Sequence, residues 1–277
     1  MTTVQQFSFG MGLAAAAVLM GCGTTYDLPG VDDAVNARAT AMFAEAKAAP
    51  PRTDATPAEG VARFRRVAAR IQPVAERLCR DTLSRKGVEC RVHLELDTRM
   101  ADPNAYFTYA GPGRTDPVIR FTIPLLQDVA NDDEAAFIMG HEYGHLVGQH
   151  IAKQEQQALA GALILGVVTA YANAEAASAG QRYDPRAVER TMEIGAAIGQ
   201  AAYSQGYELE SDMLGARIAM AAGYDPVKGA RYFARDEAAR TASGRLSFWG
   251  THPADSRRLA VVLATVDQAR AAGQAAE

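Results

Sequence analysis

One short segment of the chain carries residues whose types and spacing suit metal chemistry. His141 and His145 are four residues apart, and Glu142 directly follows the first histidine. On a helix with about 3.6 residues per turn, side chains four apart share one face, so both imidazoles can reach one ion. A glutamate beside the first histidine can take a proton from a metal-bound water. The segment therefore predicts a zinc site in which Glu142 is the general base.

A hydrolytic zinc site needs a third protein ligand and one coordination position for water. A histidine that ends the longer metzincin pattern is one candidate, but that position is Ile151, and His150 comes one residue too early. His150 is therefore predicted to be a polar residue at the helix end. Glu208 is the better candidate, because Asp212 four residues later can accept the N–H of a ligating histidine. Glu210, between them, is predicted to be solvated.

The elements that position these residues are predicted to be mostly helical. Apolar residues recur at helical spacing over 58–85, with a kink or restart expected at the proline inside that range. Residues 91–97 alternate in polarity as a half-buried strand does, and 105–109 and 118–123 are two further short strand candidates. Asn131 and three following acids open the helix that carries the two histidines. The predicted fold is mainly α with a small antiparallel β-sheet (α+β).

The first 21 residues are predicted to be a lipoprotein signal peptide. Residues 7–21 are apolar, and Leu19-Met20-Gly21-Cys22 resembles the bacterial lipobox, which makes Cys22 the predicted lipidation site. Met20 and the absence of Lys or Arg from the first ten residues depart from that pattern, so an uncleaved anchor and an ordinary cleaved signal are alternatives. Gly23 after the cysteine favours the periplasmic face of the outer membrane, with the inner membrane and the soluble periplasm as alternatives.

The remaining chain is predicted to consist of a linker and one domain. Residues 22–57 contain several prolines and suit a tether with a short helix, and residues 58–277 are predicted to form the zinc metallopeptidase domain. A net charge of −4 and a pI near 5.8 argue against a nucleic-acid partner. An export signal implies an oxidising compartment, in which Cys79 and Cys90 can form a disulfide; two buried thiols are the alternative.

The stretch 158–172 is apolar throughout. Fifteen helical residues span about 22 Å, which is less than the ~30 Å hydrocarbon core of a bilayer. The stretch is therefore predicted to be a buried helix or a lid over the cleft. A transmembrane hairpin formed with 194–202 is the alternative.

Several motifs together resemble the HtpX and CAAX prenyl endopeptidase family of zinc metallopeptidases, and especially its soluble periplasmic branch. His-Glu-x-x-His is followed about sixty residues later by Glu-x-x-x-Asp and then by a His-Pro pair. The matching segments occur in the family's order between residues 100 and 260: Pro103 to Tyr106, His141 to His145, His150, Glu208 to Asp212, Thr251 to Pro253, and Arg258.

The resemblance implies a zincin-like metallopeptidase with one Zn²⁺ per chain. The implied zinc ligands are His141, His145 and Glu208, and the implied general base is Glu142. The resemblance places His252 close to the metal, where it either donates to the oxyanion or caps the zinc in a resting state. It also implies that Asp212 and Arg258 support the ligands from behind.

Asn104 and Ala105 are implied to bind substrate. In the family they correspond to an edge strand that pairs with the substrate backbone, adding a strand to the sheet. The family's Pro-Gly-Gly-like turn is replaced here by residues 109–113, which changes the expected shape of the specificity pocket.

The sequence thus predicts a zinc-dependent endopeptidase that hydrolyses extended or misfolded envelope proteins in periplasmic quality control. Its expected partners are polypeptide substrates and, through the lipid anchor, a membrane. The alternative is a holdase-like binding or assembly lipoprotein with a structural or vestigial zinc site.

Overall fold

The computed structural model describes residues 23–50, 52–202, 204–235 and 248–274. They form two compact units. The hairpin unit contains Gln149–Tyr207 and the described residues up to Thr25, and the main unit contains the described parts of Tyr26–Gly148 and Glu208–Glu277. The predicted signal peptide and its lipidation site, Cys22, lie outside the described residues.

The described chain is mainly helical with one small sheet, as the sequence predicts. The helices are α1 (Asp33–Lys47), α2 (Pro57–Leu83), α3 (Ile123–Asp128), α4 (Asp132–Val147), α5 (His150–Ser178), α6 (Pro185–Ala201), α7 (Ser204–Ala221), α8 (Pro226–Ala230), α9 (Phe248–Thr251) and α10 (Ser256–Gln274). The strands are β1 (His93–Asp97), β2 (Ala105–Gly111) and β3 (Thr115–Thr122). Short 3-10 turns occupy Ser84–Lys86 and Arg231–Ala234.

Helix α2 begins with a reciprocal cap and continues through Pro73. The Thr56 N–H donates to Glu59 Oε2 at 2.8 Å, and the Glu59 N–H donates to Thr56 Oγ1 at 3.3 Å. This arrangement satisfies two backbone donors that a helix start otherwise leaves without partners. Phe64 and Ile71 belong to the helix face that is buried in the main unit.

A disulfide joins Cys79 near the end of α2 to Cys90 before β1, with a Cα–Cα distance of 5.7 Å. The half-cystines are 11 residues apart and almost completely buried. The bond therefore holds the end of α2 next to the start of the sheet. It also lowers the conformational entropy of the unfolded chain.

We expect the double substitution Cys79→Ala/Cys90→Ala to lower the free energy of unfolding by about 3 kcal/mol, the loop-closure value for a ring of this size. Urea denaturation of the wild type and the variant measures the difference. The free energy of unfolding of the wild-type protein should fall by the same amount when it is denatured in the presence of a reductant. Two titratable thiols at these positions in the unreduced, denatured protein would contradict the expectation.

The sheet is mixed, so the prediction of an antiparallel sheet is wrong in that detail. Its order is β1-β3-β2, with β2 antiparallel to β3 and β1 parallel to β3. A tight turn joins β2 to β3 and makes that pair antiparallel, whereas β1 pairs with the far side of β3. The strand β3 is central because Val118, Ile119 and Phe121 are buried on both of its faces.

Residues 26–50 and 52–57, which belong to the predicted linker 22–57, lie in the main unit. Their helix α1 buries Val35 and Ala39 and packs along α10. An exposed ion pair between Arg38 and Asp267, at 2.9 Å, also joins the two helices. The described part of this segment is thus folded against the domain that follows it.

The helix α4, which carries the paired histidines, starts as the sequence predicts. The Asn131 side chain accepts from the Glu134 N–H at 3.1 Å, and acids fill the first turn, where the helix dipole favours them. Glu134 in turn accepts from the Ala130 N–H at 2.8 Å. Nearly every residue of α4 is buried, so this helix runs through the core of the main unit.

The hairpin unit consists mainly of α5 and α6. By length and composition alone, the helix α5 could cross a membrane. An 18-residue stretch of it has a mean hydropathy of 1.4, yet only 17% of that stretch is buried. The prediction that 158–172 is a buried helix is therefore wrong. Large apolar side chains such as Leu159 and Val167 point outward, because glycines occupy the contact between the two helices.

Candidate metal centre

Helix α4 presents two imidazoles to one point in the main unit. The Nε2 atoms of His141 and His145 are 3.1 Å apart, and the rings meet edge to face at a centroid distance of 4.8 Å. His141 is completely buried, and the side chain of His145 is 14% exposed. The four-residue spacing thus produces the convergence that the sequence predicts.

Helix α7 brings Glu208 to both histidines. Its Oε2 lies 3.3 Å from His141 Nε2, and its Oε1 lies 3.4 Å from His145 Nε2. The helices can approach this closely because of two glycines in α4. A Cβ on Gly144 would lie 2.7 Å from Ser211 Cα, and a Cβ on Gly140 would lie 2.9 Å from the Gly215 carbonyl oxygen.

His252 completes the cluster from the turn after α9. Its Nδ1 lies 3.2 Å from His141 Nε2 and 2.8 Å from Glu208 Oε2. Its Nε2 points the other way and lies 3.4 Å from Glu142 Oε1. One donor atom from each of His141, His145, Glu208 and His252 lies within 4.8 Å of the others.

These four side chains fit a bound zinc ion. Three imidazole nitrogens and one carboxylate are donors that zinc accepts in tetrahedral protein sites. Glu142 Oε1 is buried beside the cluster and has no hydrogen-bond partner in the described protein. A buried acceptor of this kind needs a donor, and a water at the metal would supply one.

Asp212 and Arg258 hold His141 from behind. Asp212 Oδ1 lies 2.9 Å from His141 Nδ1, so the Nδ1–H donates to it and Nε2 is left for the ion. Arg258 donates to both Asp212 oxygens at 2.7 Å, and its guanidinium lies 4.0 Å from the Phe233 ring centroid. No sequence signal marks Phe233, because no spacing rule links an aromatic in the turn after α8 to this site.

The charges of the site favour a cation. Burial alone would lower the pKa of His141, but the Glu208 and Asp212 carboxylates outweigh it and raise the pKa to about 9. Burial alone would raise the pKa of Glu208, but His252 and His141 outweigh it and hold the pKa well below its usual value. Without an ion, His141 therefore holds a proton, and metal binding must release it.

Glu142 is the group whose titration should control activity. Burial raises its pKa above the ordinary value of 4.5. Because only the carboxylate can accept a proton, kcat/KM should rise with pH through the pKa of Glu142, which burial raises and the positive charge of a bound zinc ion would lower. The profile is measured on metal-saturated enzyme, with metal content checked at each pH. The same acid limb in the residual activity of Glu142→Gln would contradict this expectation.

The outer edge of β2 lies beside Glu142. The Thr122 N–H donates to the Asn104 carbonyl at 2.9 Å, so alternation along the antiparallel pair turns the backbone groups of Ala105 and Phe107 away from β3. The Phe107 N–H is hydrogen-bonded to the Glu142 carboxylate. The predicted substrate residues Asn104 and Ala105 thus start the strand whose outer edge reaches the general base. Asn104 Oδ1 is buried without a hydrogen-bond partner in the described protein.

Glu210 and His150, two other residues discussed from the sequence, are not part of the metal cluster. Glu210 is fully buried and accepts from the Tyr26 N–H at 2.6 Å, so the prediction that it is solvated is wrong. The hydrogen bond places the Tyr26 backbone, distant in sequence, against that side of α7. His150 belongs to the hairpin unit, where its ring stacks on Tyr207 at a centroid distance of 4.5 Å.

Two metal-directed imidazoles on one helix, a carboxylate from a second helix and an adjacent general base define a zincin-like metallopeptidase site. The family model of Peptidase family M48 matches residues 63–266, and the chain belongs to that family. It is therefore a metallopeptidase, as the motif resemblance implies. Peptidases of this family depend on a metal, usually zinc, and the match spans all four cluster residues. No curated protein compared with the chain matches it.

Proposed function

We propose that this metallopeptidase is a zinc-dependent endopeptidase that cleaves extended or misfolded polypeptides of the bacterial envelope. It would hold one Zn²⁺ per chain and be anchored through lipid on Cys22 to the periplasmic face of the outer membrane. One observation carries the proposal: the general base Glu142 contacts both the metal cluster and the outer edge of β2.

His141, His145 and Glu208 would hold the ion, and His252 is a fourth candidate ligand. A zinc ion held there would lower the pKa of a coordinated water towards ~7 and polarise the scissile carbonyl. Glu142 Oε1 accepts the proton of the attacking water and later delivers it to the nitrogen of the leaving amine. Asp212 and Arg258 keep the His141 ring oriented throughout.

The position of His252 supports the resting-state role over the oxyanion role. Its Nδ1 lies among the metal-directed atoms, and a fourth protein donor closes a site that catalysis needs open. Its Nε2 faces Glu142 at 3.4 Å. If His252 binds the ion at rest, it would have to leave the ion, or the ion would have to take a fifth ligand, before a water could be activated.

The substrate class follows from the edge of β2. An extended peptide that pairs with the outward backbone groups of Ala105 and with the Phe107 carbonyl uses its own backbone, which every sequence shares, and its scissile bond would lie beside Glu142. A folded protein keeps its backbone groups paired internally, so unfolded chains are preferred. The disulfide between Cys79 and Cys90 is typical of exported proteins, which supports an envelope location.

Digestion of one test protein in folded and in reduced, alkylated form tests the proposal. We expect the metal-loaded enzyme to cleave the unfolded form at many sites, to leave the folded form intact, and to lose activity with a chelator until zinc is restored. Mass spectrometry of the fragments reports the specificity. Cleavage that survives chelation, or cleavage confined to a single sequence, would overturn the proposal.

A further inference from the structure

Both helices of the hairpin unit expose large apolar side chains, which together are called its apolar face. On α5, exposed apolar residues recur on one side of the helix from Leu159 to Tyr171, and Ile194 and Ile198 add to the face from α6. Leu159 is 62% exposed, Tyr171 66% and Ile198 59%. A soluble protein seldom leaves a contiguous apolar surface of this kind open to water, and such surfaces mark interaction sites.

The packing inside the hairpin unit explains why the large side chains face outward. A Cβ on Gly195 would lie 2.2 Å from the Gly161 carbonyl oxygen, and a Cβ on Gly199 would lie 2.1 Å from the Gln157 carbonyl oxygen. The helices therefore meet backbone to backbone through glycines. Contacts through small residues, with large apolar residues outside, are characteristic of helices whose surroundings are lipid.

The chain enters this unit at the base of the hairpin. Lys153 Nζ donates to Thr25 Oγ1 at 2.6 Å, and a Cβ on Gly206 would lie 3.6 Å from the Thr24 methyl group. Two residues lie between Cys22 and Thr25, and the three Cα–Cα steps that connect them span at most about 11 Å. A bilayer that holds Cys22 therefore lies within about 11 Å of the base of the hairpin.

We infer that the apolar face of the hairpin unit lies in the interfacial layer of a lipid bilayer; this rests on the proposed anchor at Cys22. The anchor keeps a bilayer beside the hairpin, and the face offers the bilayer the apolar area that interfacial helices bury. The helices lie along the surface and do not cross it. The exposed apolar side chains of α5, from Leu159 to Tyr171, cover only about 18 Å along the helix axis. The helix α6 carries the charged residues Arg186, Glu189 and Glu193.

An environment-sensitive fluorophore on a single introduced thiol tests this contact in the full chain. The chain has three cysteines, of which two form the disulfide and Cys22 carries the lipid, so Ile194→Cys would supply the only free thiol. Glu193→Cys is the matched control, because it is exposed at the same depth but points about 100° away. Both proteins are placed on phosphatidylethanolamine and phosphatidylglycerol vesicles.

With vesicles, we expect the probe at 194 to shift its emission to the blue, to be quenched by spin-labelled lipid and to lose quenching by aqueous iodide. The probe at 193 should change much less. Equal iodide quenching at both positions on vesicles would overturn the inference. Shielding at 194 without lipid would also overturn it, indicating a second copy if it rises with concentration and the chain's own N-terminal segment if it does not.

Two further measurements distinguish a failure of this inference from a failure of the proposed function. The mass of the intact N-terminus reports whether Cys22 is lipidated, and digestion of a soluble unfolded protein reports peptidase activity without any vesicle. A lipidated, active enzyme whose probe at 194 remains accessible to iodide on vesicles would contradict this inference alone. An inactive chain with a shielded probe would sink the peptidase role alone.

Discussion

Glu142→Gln is expected to reduce kcat by about 10²–10⁴-fold, the usual contribution of a positioned general base. Glutamine keeps the size of the side chain but cannot accept the proton of the attacking water. Zinc content should not change, because Glu142 is outside the metal-directed cluster. Steady-state cleavage of an unfolded fluorescent substrate and elemental analysis of the purified variant measure the two effects.

Glu45→Gln is the matched control for that substitution. Glu45 forms an exposed ion pair with Arg231, and its side chain is 64% exposed, so its loss should change neither activity nor metal content. Full activity in Glu142→Gln would show that another group is the base. Protection of cells by an inactive Glu142→Gln variant would instead favour the holdase-like alternative.

Glu208→Ala is expected to weaken zinc binding by more than ~100-fold, since even residues that only hold a ligand in place contribute about 10–100-fold. The substitution removes the carboxylate that lies between His141 and His145 and the main negative charge facing the ion. Competition with a chromophoric chelator measures the affinity. Activity should fall in parallel at limiting zinc.

Asp267→Ala removes the same charge far from the cluster and serves as the control. Asp267 pairs with Arg38 on the surface and is 41% exposed, so zinc affinity should stay at the wild-type value. Circular dichroism shows whether Glu208→Ala remains folded. An unchanged zinc affinity in a folded Glu208→Ala protein would remove Glu208 from the ligand set.

The core of the site could be predicted because its geometry is local. Helical spacing alone places His141 and His145 on one face, and the same spacing pairs Glu208 with Asp212. The capping pattern at Asn131 likewise marks the helix start, because the cap is made by residues three apart. In each case the interacting residues are close in sequence, so periodicity determines their arrangement.

The features that the sequence did not reveal depend on contacts between distant segments. The pairing of β1 with β3 is set by which faces of β3 are buried, and strand alternation alone does not encode it. Glu210 looks like a surface acid until the distant segment at Tyr26 is folded against α7. The exposed apolar face of α5 also depends on a contact between distant segments. Glycines pack at the contact with α6, so the bulky apolar residues face outward.

Gly140 and Gly144 bring the backbones of α4 and α7, the two helices that carry His141, His145 and Glu208, into close contact. Small zinc-finger domains, by contrast, are unfolded until they are metallated. The close contact between these helices predicts that the polypeptide folds before it takes up its cation and that the cation can be removed and restored without denaturation. Metal supply would then act as a reversible on–off control of the mature enzyme.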